Sequence, residues 1–76
     1  MKIAGNITSN GRDLFYSVTA EDQPSELHGI SGGKITKLSI EQDDNTVFEY
    51  NRGHVTKAAA GQGVAEALAI LIYKYN

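Results

Sequence analysis

The sequence predicts an α+β domain: a four-stranded antiparallel sheet, made of two β-hairpins, with one C-terminal helix packed on one face. Three observations predict it. Ser9-Asn10-Gly11-Arg12 places an Asn-Gly turn between two strand-like runs. Lys34 to Arg52 repeats that plan around Asp43-Asp44-Asn45. From Val64 onward, apolar residues recur at the 3.6-residue period of a helix. Together they describe a single β-β-β-β-α domain over residues 1–76.

The first hairpin is expected over Lys2 to Thr8 and Asp13 to Thr19. Asn and Gly supply the two positive φ angles of a type I′ turn, and a two-residue loop fixes the register. Ile7 then faces Leu14, Gly5 faces Tyr16 and Ile3 faces Val18, all on one face. Gly5 leaves bare backbone for the Tyr16 ring to cover. The second hairpin is expected to turn through three residues, with Asn45 in the left-handed region. That pairs Ile40 with Phe48, Leu38 with Tyr50, Ser39 with Glu49 and Lys37 with Asn51. The order in which the two hairpins pair stays open.

Ala20 to Gly33 is long for a connection in so small a domain. It holds the only proline, Pro24, and Leu27 to Ile30 is a candidate short strand. After Arg52, Thr56 is a candidate helix cap, but Gly61 and Gly63 each cost ~1 kcal/mol inside a helix. The firm helix runs from about Gln62 to Lys74. The helix is the only cover for the apolar sheet face. Ile3, Ile7, Leu14, Tyr16, Val18, Leu38, Ile40, Phe48 and Tyr50 are therefore expected to pack against Val64, Leu68, Leu71, Ile72 and Tyr75.

Composition limits the chemistry. There is no cysteine, which excludes thiol catalysis, disulfides and thiolate metal sites, and fits a reducing cytoplasm. No signal peptide or membrane span is expected, and the Asn6-Ile7-Thr8 sequon reads as chance. Nine acidic and seven basic residues give a net charge of −2, which argues mildly against nucleic-acid binding. Gly32-Gly33-Lys34 lacks the earlier glycine, the following Ser or Thr and the helix of a phosphate loop. Gly61-Gln62-Gly63 has Glu66 where a dinucleotide fingerprint needs its third glycine. His28 and His54, the only imidazoles, have no metal-ligand spacing, and Asp43 and Asp44 belong to a turn. No serine or threonine sits on a nucleophile elbow. No enzyme activity, catalytic residue, metal or cofactor is expected.

Two surfaces are candidates. The outer sheet face is expected to carry Phe15, Ile35 and Val47, and the outer helix face Ile70 and Tyr73. Such apolar residues point to self-association, most simply a homodimer, and edge strands with unpaired backbone groups offer a second route to one. The candidate binding residues are Lys34, Lys37, Arg52 and His54. Arg52 alternatively pairs with Glu26 or Asp22 and tethers the long loop. A small interaction module with an unidentified protein partner is the leading reading. Nucleic-acid binding by a basic rim on the open sheet face is the alternative.

Pro24-Ser25-Glu26-Leu27-His28-Gly29-Ile30-Ser31-Gly32-Gly33-Lys34-Ile35-Thr36-Lys37-Leu38, followed by Tyr50-Asn51-Arg52-Gly53, resembles a family of small proteins of unknown function encoded by bacteria and their phages. The resemblance covers roughly residues 24 to 53. It departs at Asn51, where an acid is usual, and at His54, where an aromatic is common. It implies a small cytoplasmic, phage- or prophage-linked protein and draws attention to Lys34, Lys37 and Arg52, without assigning them a role.

Overall fold

Period-two alternation of apolar and polar residues builds strands, and turns with positive φ join them. In the computed structural model this logic yields five strands. They are β1 (Lys2–Ser9), β2 (Arg12–Ala20), β3 (Ile35–Gln42), β4 (Asn45–Asn51) and β5 (His54–Ala58), followed by α1 (Gln62–Tyr75). The structure describes residues 1–9, 11–58 and 62–76, with only the backbone at 62. Asn10, half of the expected first turn, lies outside the described residues, and so does Gly61. The sheet is an antiparallel meander in the order β1-β2-β3-β4-β5.

The first hairpin has the expected register, with Ile3, Gly5 and Ile7 opposite Val18, Tyr16 and Leu14. The Tyr16 ring covers Gly5: a Cβ there would stand 2.8 Å from the phenolic oxygen. The second hairpin keeps the expected pairs from Lys37–Asn51 to Ile40–Phe48. Its turn differs. Asp43 and Asp44 both take positive φ (51° and 65°), so the loop has two residues, and the pairing shifts by one between Ile40 and Glu41. Val47 is the additional residue of that β-bulge. Asn45 pairs with Gln42 and begins the strand instead of taking the left-handed position.

The sheet has five strands, not four. Arg52 and Gly53 make a third two-residue turn, with φ of 46° and 104°, and return the chain along β4. Thr56 therefore belongs to a strand and caps no helix. Its hydroxyl donates to the Glu49 carboxylate at 2.7 Å. A β-bulge also shapes the start of β3. The register shifts between Thr19 and Ala20, which makes Thr36 the additional residue and turns Ile35 inward.

The core lies between the sheet and α1. It holds Leu14, Val18, Ala20, Ile35, Leu38, Ile40, Phe48 and Tyr50 from the sheet side, and Val64, Ala67 and Leu71 from the helix. Ile7, Tyr16, Leu68, Ile72 and Tyr75 pack around it half-buried, while Ile3, at the edge, is only partly covered. Ala67, fully buried, is the small residue on which α1 rests. The backbone of α1 approaches β1, β2 and β3 most closely. Among the described residues no helix is long and apolar enough to cross a membrane.

The 20–33 segment covers the sheet end beside Tyr50, and its only helical part is a 3-10 turn at Ile30–Gly32, not a strand. Its bonds close a small loop. Ser25 N–H donates to the Gly33 carbonyl at 2.9 Å, and Gly29 N–H to the Ser25 carbonyl at 2.9 Å. Asn76 then ties the loop to the end of the helix. Its side-chain amide donates to the Ile30 carbonyl (2.9 Å), and its oxygen accepts from Ile35 N–H (3.0 Å). Gly33 leaves the space that this amide occupies.

Candidate functional site

The face of the sheet turned away from α1 is built in rows, because residues paired across antiparallel strands share a face. One row crosses all five strands as Lys2, Thr19, Lys37, Asn51 and His54. The next reads Ala4, Ser17, Ser39, Glu49 and Lys57. A third reads Asn6, Phe15 and Glu41. Small side chains at Ala4, Ser17 and Ser39 thus lie between a row with two lysines and a row with one aromatic ring. Two depressions of about 260 and 300 Å³ share Ser17 and Ser39 on this face. Phe15 stands beside the first, 56% exposed, and Lys37 and Glu49 border the second.

The four basic candidates divide. Lys37 and His54 share a row, and Lys2 at its far end joins them there. Arg52 lies in the adjoining β4–β5 turn. Lys34 is elsewhere, around a separate depression of about 250 Å³ with Glu21, Asp22 and Lys74. Its carbonyl accepts from Glu21 N–H at 2.9 Å. Gly32-Gly33-Lys34 leads directly into β3.

Arg52 meets the long loop through its main chain. Its carbonyl lies 3.3 Å from His28 Nδ1, and its N–H donates to the Thr36 carbonyl at 2.8 Å. Among the described residues no ion pair joins it to Glu26 or Asp22. Tyr50 completes the tether, its hydroxyl donating to the His28 carbonyl at 2.8 Å. His28 is therefore a loop-holding residue, and no group of three potential metal ligands is found among the described residues.

The apolar candidates do not form one patch. Ile35 is fully buried, because the Thr36 bulge reverses its side. Val47 is half-buried against the core at its own bulge. Phe15 lies on the outer sheet face, whereas Ile70 and Tyr73 (93% exposed) lie on the helix in the other layer. Leu27 and Val55 are further exposed apolar residues near the β4–β5 turn.

Tyr16 and Tyr75 link sheet to helix, with hydroxyls 3.5 Å apart and ring centroids 6.4 Å apart. Their mutual hydrogen bond raises the Tyr16 pKa and lowers that of Tyr75, with Lys74, 5.4 Å above the Tyr75 ring, lowering it further. Tyr75 therefore ionises first, and Tyr16 O–H then donates to the phenolate. Its lowered pKa contributes stability above the ordinary tyrosine value, lost as pH falls through the folded value. Tyr16 contributes stability below that value, lost as pH rises through its raised pKa. The two oppose, so ultraviolet titration is the better readout. Tyr16→Phe is expected to move the Tyr75 pKa up toward the ordinary value, and an unmoved Tyr75 would show that the bond is not formed.

No curated protein matches the chain, and no solved structure does. The model of one family, Domain of unknown function (DUF7678), matches residues 1–76. A match that spans residues 1–76 shows that the chain belongs to this family of unknown function.

Proposed function

We propose that this protein is a non-enzymatic interaction module that self-associates. The observation that supports it best is the open sheet: among the described residues, β1 and β5 each have a strand on one side only. Unpaired edges are templates for another chain. A 76-residue domain without disulfides also gains from association, since its own core is small. The resemblance at residues 24 to 53 supports a bacterial, phage- or prophage-linked setting. Sedimentation equilibrium from about 1 to 300 μM is expected to show a concentration-dependent dimer. A strict monomer throughout would overturn the reading.

A second reading is single-strand nucleic-acid binding on the outer face, favoured by the row that holds Lys2, Lys37 and His54. Glu41 and Glu49 on the same face oppose it, and Phe15 is the one aromatic among those three rows. Binding to oligonucleotides that weakens steeply with salt would support this reading, and no binding at low salt would remove it.

A further inference from the structure

We infer that β1 is the self-association edge, pairing antiparallel with β1 of a second copy about a two-fold axis at Gly5. The inference rests on the self-association reading and names its surface. The two edges differ in ways that matter for pairing. β5 has five residues, an interruption at Thr56 and a lysine at position 57, all features that blunt an edge. β1 has eight residues in unbroken register with β2, no proline, and no charged side chain after Lys2.

The phase of the β1–β2 ladder says which groups are free. Met1 and Ala20 exchange two hydrogen bonds: Ala20 N–H to the Met1 carbonyl at 2.8 Å, and the Met1 nitrogen to the Ala20 carbonyl at 2.7 Å. Antiparallel ladders alternate bonded and non-bonded pairs. Ile3, Gly5 and Ile7 therefore spend their backbone groups on β2, while Lys2, Ala4, Asn6 and Thr8 direct theirs outward.

A second β1 must match even residue to even residue. Pairing Ala4 with Asn6 and Lys2 with Thr8 of the second copy uses all four outward residues in both chains. It sets Gly5 against Gly5 at the axis. It also sets Ile3 beside Ile7 on the inner face, where both are only half-buried in the single chain. The ends are complementary in charge. Lys2 of each copy comes beside Thr8 of the other, whose hydroxyl donates to the Asp13 carboxylate at 2.9 Å. The product is one ten-stranded sheet with both copies of α1 on the same side.

The full chain serves for the test. Ala4→Pro removes one outward N–H per copy, so two hydrogen bonds per dimer, and is expected to weaken dimerisation about 30-fold. A dimer whose affinity is unchanged in a folded Ala4→Pro variant would overturn the β1 edge while leaving self-association standing. A monomeric parent protein would overturn both. Cross-linking is independent of any harm proline does to folding. The chain has no cysteine, so Ala4→Cys and Asn6→Cys proteins can be mixed and oxidised. Paired residues stand ~5.5 Å apart at Cα, within disulfide reach. The mixed cross-link is expected to dominate. Dominance of either homodimeric cross-link would overturn the register.

Discussion

Leu71→Ala is expected to lower the unfolding free energy by about 3 kcal/mol, within the 2–5 kcal/mol typical of buried leucine truncation. Leu71 is 1% exposed at the centre of the helix–sheet contact, and its neighbours in that layer come from a sheet that cannot readily collapse into the void. A domain of this length has a stability of roughly 4–11 kcal/mol, so the loss removes a large part of it. Urea denaturation should show a lower midpoint at an unchanged slope. Ile70→Ala, one position earlier on the exposed side, is expected to stay within about 0.5 kcal/mol. A loss under ~1 kcal/mol for Leu71→Ala would mean that α1 does not cover this face.

Gly29→Ala is expected to cost about 2–3 kcal/mol through crowding rather than conformation, as about two hydrogen bonds are broken and backbone displaced. The φ of Gly29 is −81°, open to any residue. The obstacle is space: a Cβ there would collide with the Gly33 carbonyl and the Ser25 carbonyl. Both are backbone atoms engaged in the loop's own bonds, Ser25 N–H to Gly33 and Gly29 N–H to Ser25. Neither can swing aside as a side chain does. Displacing them loosens the seat of the Asn76 amide and the cover over Tyr50. Gly32 gives the contrasting case, with a φ of 73° but open surroundings. Gly32→Ala is expected to cost only ~1 kcal/mol of backbone strain. Comparing the two by chemical denaturation and by limited proteolysis of the 20–33 segment checks the ranking. Equal costs would show that conformation, not crowding, sets the requirement at Gly29.

The first hairpin was legible because turn chemistry and hydrophobic alternation specify the same register independently. The helix was legible because one apolar stripe runs from Val64 to Tyr75. What escaped were the irregularities. A β-bulge reverses the facing of every residue beyond it, and nothing in Ile35-Thr36-Lys37 marks Thr36 as the extra residue. Ile35 was consequently read as exposed. The fifth strand escaped because arginine is an unusual occupant of a left-handed turn position, and His54 to Ala58 has little apolar alternation. The Gly after Arg52 was the available signal. The loop latch depends on Asn76 and Ile30, 46 positions apart, a tertiary pairing that no local pattern encodes. The outer-face row of Lys2, Lys37 and His54 follows from register alone, once five strands are known.

Hydrogen exchange at individual amides tests the pairing of β1 most directly, because the strand alternates between inward and outward N–H groups. At low concentration the Ala4, Asn6 and Thr8 amides are expected to exchange freely, while those of Ile3, Gly5 and Ile7 are protected by β2. Raising the concentration should slow the first set selectively, by the factor that the dimer population dictates. If those three amides exchange as fast in a concentrated solution as in a dilute one, β1 is not the joining strand.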